Sequence, residues 1–207
     1  MLLDAEDCHL VLIDYQERLM PAIFEGPLVA ANALRLAQMA RLLQVPLCAT
    51  EQNPEKLGSS LPQLHAVLQE TGARILVKMA FSAAGAGLVD HLRPAPRLAQ
   101  GGGNARSLPK HLQKAVSAPA PQRNSVVIAG CEAHVCLLQT ALDLLEQEFD
   151  VWVVTDACSS RSERNRDAAF DRLVGNGAEL VTTEMVAFEW LRSAEHPQFK
   201  PVQALIK

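Results

Sequence analysis

Three residues of this sequence have the types and placement that covalent catalysis needs: an acid, an amine and a thiol, each just beyond a short apolar run. Asp14 follows HLVLI (9–13) and Lys78 follows RILV (74–77). Cys136 follows SVVIA (125–129) and the turn Gly130-Cys131-Glu132-Ala133-His134-Val135. A thiolate attacks carbonyl carbon, and a carboxylate within reach accepts or returns the proton. A helix that starts near Cys136 offers unpaired N–H groups and the positive end of its dipole, which favour a thiolate and can hold an oxyanion. A nearby lysine adds to the effect. Each residue alone has a plainer reading. Asp14 is a turn cap, Lys78 a solvated strand end, and Cys136 a small buried hydrophobe. The recurrence of all three types at strand ends favours the chemical reading.

The surrounding elements decide whether these residues meet. Short β-rich runs at 9–13, 46–50, 74–77, 125–129, 151–155 and 179–182 alternate with helical periodicity at 28–43, 61–70, 134–148, 164–174 and 184–192. Gly175 and Gly177 are the expected stop of the fourth of these helices. Strand–helix–strand repetition predicts parallel pairing through right-handed crossovers. The strands lack polar alternation, which predicts a sheet covered on both faces. Ligands of such sheets bind beyond the carboxyl ends of the strands, where the strand order reverses. Asp14, Glu51-Gln52-Asn53, Lys78, the turn before Cys136 and Asp156 all fall at such ends.

The chain is expected to be one domain, 1–207, interrupted by a Pro-, Gly- and Ala-rich insertion at 93–124 with one helix near 108–116. A neutral surface insertion and a lid or oligomer contact are both open readings of it. About half of the residues are apolar and the net charge is −4, without charge blocks. That excludes the electrostatic footprint of a nucleic-acid or membrane-surface protein. No stretch is long and apolar enough to span a bilayer. The first residues lack the basic region of a signal peptide, and the five cysteines have no disulfide-framework spacing. The expected location is therefore the cytoplasm, with reduced thiols.

Other conspicuous residues read as structural. Cys8, Cys48 and Cys158 sit in or beside apolar runs and are assigned to the core. Cys131 and Cys136 are not a C-x-x-C pair. Gly101-Gly102-Gly103 follows no strand and opens no helix, so it is a linker and not a phosphate loop. Asp156 is assigned a loop-orienting role.

Several stretches resemble the isochorismatase-like cysteine hydrolases, in particular their isochorismatase domain-containing branch. They are LVLIDYQERLMPAI (10–23), ATEQNPEKLGSSLPQL (49–64), KMAFSA (78–83), GCEAHVCLLQTALDLL (130–145), VTDACSSRS (154–162) and the tail AEHPQFKPVQALIK (194–207). The resemblance implies a three-layer α/β fold, with a doubly wound six-stranded parallel sheet in the Rossmann-like order 3-2-1-4-5-6. It implies an Asp–Lys–Cys triad of Asp14, Lys78 and Cys136, in which the cysteine attacks an amide carbonyl and water later cleaves the thioester. It also implies a non-proline cis peptide at Cys131–Glu132, with the N–H groups of Glu132 and Cys136 turned toward one oxyanion. Gln16, Gln52, Phe81 and Ala133 are the expected pocket residues. A homo-oligomer is implied because relatives commonly assemble.

The chain departs from the family pattern in ways that shape the expectation. Metal-dependent relatives place an Asp and two His after the second strand. Here Glu51, Gln52 and Asn53 stand there, so neither metal nor organic cofactor is expected. Ala83-Ala84-Gly85-Ala86-Gly87 follows Phe81-Ser82 where relatives carry bulkier residues. The retained Cys136 favours C–N bond cleavage. The resulting expectation is a metal-independent cysteine hydrolase acting on a small amide-like molecule. The rival expectations are a non-catalytic binding or scaffolding member of the fold, and vinyl-ether cleavage of the isochorismatase type.

Overall fold

The computed structural model describes residues 1–94 and 123–207. Its centre is a six-stranded, all-parallel sheet in the order β3-β2-β1-β4-β5-β6. The strands are β1 (Cys8–Ile13), β2 (Leu47–Gln52), β3 (Arg74–Lys78), β4 (Ser125–Gly130), β5 (Asp150–Val154) and β6 (Glu179–Val181). Leu10 through Ile13 and Val126 through Ala129 are all fully buried, as continuous apolar strands in the middle of a doubly covered sheet must be.

The helices are α1 (Gly26–Leu43), α2 (Pro54–Leu57), α3 (Pro62–Thr71), α4 (Leu88–Leu92), α5 (Leu138–Glu146), α6 (Glu163–Gly175), α7 (Thr183–Leu191) and α8 (Phe199–Ile206). Helices α1, α3, α7 and α8 pack together on one face, while α5 and α6 pack on the other. Burial of Leu138, Ala141 and Leu144 along one stripe of α5 supplies the sheet-facing contact. The order reverses between β1 and β4, whose register pairs Ile13 with Gly130. The carboxyl ends of these two strands therefore flank the crevice that such sheets use for ligands.

Some expectations shift. The helix predicted at 134–148 divides into a π-helical turn, Ala133–Leu137, followed by α5. Helix α6 runs through Gly175, and Gly177, at φ +97°, is the residue that turns the chain out of it. Helix α8 lies beyond the last expected helix. Pro201 reads as a breaker in the sequence but sits in the first turn, where its missing N–H costs nothing. Phe199, Val202, Leu205 and Ile206 recur at helical spacing and face the core, with Val202 fully buried, and α8 is secured by Arg35 Nε donating to Leu205 O at 2.9 Å.

The helix expected at 108–116, with most of the insertion, lies outside the described residues. Its two stems are well defined. Arg93 donates to the carbonyls of Gln147 and Glu148 at 2.6 and 2.8 Å and lies over the Phe149 ring. Arg123 donates to the carbonyls of Ala5 and Cys8 at 2.6 and 2.9 Å. Both stems are thus fastened at the amino-terminal edge of the sheet, opposite the crevice.

Candidate active site

Asp14 is the first residue after β1. It takes a left-handed backbone, φ +54°, and its side chain is fully buried. Both carboxylate oxygens have partners. Thr50 Oγ1, from β2, donates to Oδ1 at 2.6 Å, and Lys78 Nζ, from the end of β3, donates to Oδ2 at 2.7 Å. Neither Lys78 nor Asp14 exposes any of its side chain, so this ion pair is removed from solvent. Lys78 Nζ also donates to the carbonyls of Phe81 and Ala80, at 2.9 and 3.4 Å. Three N–H bonds of the ammonium are thereby directed, which a buried cation requires.

Cys136 occupies the π-helical turn after β4. Its thiol donates to Gln52 Oε1 at 3.7 Å, and it lies close enough to Asp14 and Lys78 for both to act on its titration. The acid, amine and thiol that sequence spacing put at separate strand ends are brought to one place. The electrostatics differ from the expectation of a stabilised thiolate. Burial, followed by the negative charge of Asp14, pushes the Cys136 thiol up to about 12, and the Lys78 charge only partly opposes them. Desolvation and an adjacent carboxylate both disfavour a second negative charge, and together they outweigh the helix dipole. Cys136 is thus a neutral thiol beside a carboxylate.

The turn before Cys136 is built by close packing. Gly130 ends β4 against Ile13 of β1, where a Cβ would come 2.5 Å from the Ile13 carbonyl oxygen. This is the physical reason for a glycine six residues before the cysteine. The Cys131–Glu132 peptide is cis. The amides of Val135 and Leu137 both return to the Glu132 carbonyl, and the Ala133 amide donates to Ser159 O. Among the described residues, no hydrogen bond outside the regular elements claims the N–H of Glu132 or Cys136.

A cavity of about 420 Å³ opens over Cys136. It is lined by Leu19, Ala22, Leu57, Phe81 and Val135, with Gln52, Glu132 and Arg161 as its polar groups. Of the four expected pocket residues, Gln52 and Phe81 line it. Gln16 does not. It is fully buried, with its Nε2 donating to the carbonyls of Gln52 and Gly58 and its Oε1 accepting from Gln52 N–H. It ties the end of β2 to the following loop. Ala133 is also buried away from the cavity. The cavity's ion pair was not foreseen: Glu132 Oε2 accepts from Arg161 N and Nε, at 3.0 and 2.9 Å. No local pattern marks Arg161, 29 positions further along. Thr50 was missed as well, although as a hydroxyl near the end of an apolar strand it had a visible signal.

The residues set aside as structural are so placed. Cys8, Cys48 and Cys158 are buried, and Asp156 Oδ1 accepts from both the N–H and the hydroxyl of Thr183, fixing the start of α7. Glu51 accepts from Ser60 N–H and Oγ, at 2.7 and 2.8 Å. Among the described residues, no three His, Cys, Asp or Glu side chains are grouped to hold a metal ion, and no helix is long and apolar enough to cross a membrane.

A doubly wound sheet in this order defines a Rossmann-like three-layer protein of the isochorismatase fold. The family model described as the isochorismatase domain matches residues 107–185. Isochorismatase domain-containing protein 2A of Mus musculus is 39% identical over 202 residues, 98% of this chain and 84% of that protein. The MAR1 ribonuclease of Caenorhabditis elegans superposes with a TM-score of 0.83 at 32% identity, over 100% of this chain and 92% of that one. YcaC of Escherichia coli, described as an octameric hydrolase of unknown specificity, superposes at 0.73 with 23% identity, over 99% and 95%. The chain belongs to the isochorismatase family, a family of hydrolases.

Proposed function

We propose that this protein is a metal-independent cysteine hydrolase that cleaves the C–N bond of a small amide through a thioester. The observation that carries the reading is a neutral thiol beside a buried, lysine-paired carboxylate, at the floor of a small cavity. A thiol held near 12 does not ionise by itself at neutral pH, so attack needs a base in contact with it. Asp14 is that base. As Sγ forms its bond to the carbonyl carbon, the thiol proton passes to the Asp14 carboxylate and the carbonyl π electrons move to oxygen. The N–H groups of Glu132 and Cys136 receive that oxyanion. Collapse breaks the C–N bond, and the proton on Asp14 leaves with the amine. Water then attacks the thioester, giving its proton to Asp14, which returns it to the departing sulfur. Lys78 holds the orientation of the carboxylate through these steps.

A cavity of about 420 Å³ is of the size used for small ligands. Its mainly apolar wall, with one ion pair at Glu132–Arg161, suits a compact amide with an apolar portion. Glu51, at the end of β2, is held by Ser60 N–H and Oγ. We further propose that the chain acts in the cytoplasm as a homo-oligomer, on a small molecule, without nucleic-acid or membrane partners. Light scattering tests the assembly.

The deciding experiment is a panel of small amides, with an RNA oligonucleotide and a vinyl ether as further arms, assayed with wild type, Cys136→Ala and Asp14→Asn. Amide turnover lost in both variants supports the reading. Ether cleavage that survives Cys136→Ala but not Asp14→Asn supports isochorismatase-type chemistry instead. Turnover confined to RNA, or rates at background in all three proteins, overturns it.

A further inference from the structure

Thr140 is a fully buried hydroxyl on α5, one helical turn beyond Cys136. Its Oγ1 donates to the Cys136 carbonyl at 2.7 Å. Back-bonding of this kind is ordinary for threonine in helices. The second bond is not local: the same oxygen accepts from the amide of Ala83 at 3.0 Å, across 57 residues of sequence. Ala83 is itself fully buried and belongs to the loop that follows β3. Three positions along α5, Asp143 Oδ2 accepts from Ser82 Oγ at 2.5 Å, and Ser82 Oγ accepts in turn from the Ala84 amide at 3.2 Å.

The loop pinned by these two bonds is the one that cages Lys78. Two of the three directed N–H bonds of Lys78 end on its carbonyls, at Ala80 and Phe81, and the third ends on Asp14. Phe81 also forms part of the cavity wall. The position of the ammonium relative to the thiol is therefore not set by the sheet alone. It is set by a path from the Cys136 carbonyl through the Thr140 hydroxyl to Ala83, along the loop to Phe81 O, and so to Lys78 and Asp14.

We propose that Thr140 and Asp143 are positioning residues of the reaction, coupling the turn that carries Cys136 to the loop that fixes Lys78. The proposal rests on the cysteine-hydrolase reading of the site. It places two residues in the mechanism that touch neither substrate nor reacting atoms. The charged groups about the thiol are Asp14 on β1, Lys78 on β3, Glu132 at the start of its own turn, and Arg161 from the loop after β5. Of these, Lys78 is the one whose placement depends on the loop. Its charge favours the thiolate, so a loosened loop moves thiol titration to higher pH.

The test is the rate of Cys136 carbamidomethylation by iodoacetamide between pH 7 and 11, followed by peptide mass mapping. The proteins compared are wild type, Thr140→Val, Thr140→Ser and Asp143→Ala, each checked for folding by circular dichroism. Valine keeps the volume of threonine without the hydroxyl, and serine keeps the hydroxyl without the methyl. Alanine at 143 removes the acceptor of the Ser82 hydroxyl. Thr140→Val and Asp143→Ala are expected to displace the profile upward by about one pH unit, about tenfold in rate at fixed pH. Thr140→Ser is expected to follow wild type. A wild-type profile in Thr140→Val, or a serine variant as impaired as the valine variant, overturns the coupling. If Thr140→Val does not fold, Asp143→Ala decides, and an unshifted profile there overturns it. A wild-type protein in which Cys136 resists alkylation at every pH overturns the functional reading itself. A reactive wild type with unshifted variants defeats only the coupling.

Discussion

Lys78 Nζ lies 2.7 Å from Asp14 Oδ2, with both side chains wholly shielded from water, and the two residues are 64 positions apart in the chain. Such a pair stabilises the protein little compared with apolar replacements, but its disruption is costly because one charge is left buried alone. Lys78→Met is expected to destabilise the fold by about 3–5 kcal/mol. The double variant Asp14→Asn/Lys78→Met should recover much of that loss. Urea denaturation of the two single variants and the double variant checks this. Additive losses would show that the pair is not coupled.

Cys136 is expected to be the first of the five cysteines alkylated in the folded protein. Its residue is only 4% exposed, yet it opens on the cavity, whereas Cys8, Cys48, Cys131 and Cys158 are sealed in the core. Mass mapping after limited iodoacetamide treatment reads the order. Modification of any core cysteine ahead of Cys136 contradicts the placement.

The buried thiols predict an alkaline limit to stability. Burial holds Cys8 at about 11 and Cys48, Cys131 and Cys136 at about 12, against 9.0 for a free thiol. Above pH 9 the unfolded chain loses these protons while the folded chain keeps them. The folded state then binds more protons, and stability falls as pH rises from about 9 toward 12. Each such thiol contributes a slope of up to about 1.4 kcal/mol per pH unit. Urea midpoints at pH 8 and pH 10 should show the fall, and Cys48→Ala should reduce it.

His9 predicts an opposite limb on the acid side. Burial, reinforced by the Arg123 and His91 charges, lowers its imidazole from 6.5 to about 4. The unfolded chain takes up the proton first, so this contribution to stability is intact above pH 6.5 and declines as pH falls toward 4. His9→Gln should flatten the urea-midpoint profile between pH 6.5 and 4. An unchanged profile would place the acid sensitivity elsewhere.

Gly130→Ala is expected to destabilise the protein by about 1–3 kcal/mol, because the new methyl group collides with the backbone of Ile13. Ile13 precedes Asp14, so the collision displaces the Asp14 carboxylate as well, and the variant should lose activity in excess of its loss of stability. Thermal melts beside amide turnover measure the two effects separately.

The parallel sheet was legible, because continuous apolar strands alternate with helical periodicity; its order 3-2-1-4-5-6 followed from the family resemblance and not from the pattern. The candidate acid, amine and thiol were legible through their positions just beyond those strands. The short helices were not. Helix α2 has four residues and none of them buried, too short for a periodicity to read, whereas α8 does carry Phe199, Val202, Leu205 and Ile206 at helical spacing, masked by Pro201, which reads as a breaker. The titration state of Cys136 was misread, since helix position is a local property and desolvation is not.

What the chain determines by itself is the alternation of elements, and with it the edge on which Asp14, Lys78 and Cys136 emerge, because hydrophobic periodicity and strand length are local. Tertiary structure alone decided that Thr50 and Lys78 share one carboxylate, that Gln16 is a clamp and not a pocket wall, that Glu132 pairs with Arg161, and that Thr140 reaches Ala83. These are contacts between residues 29 to 64 positions apart, and they are chosen by which atoms remain within reach once the core has closed. No pattern of neighbouring residues encodes that distance.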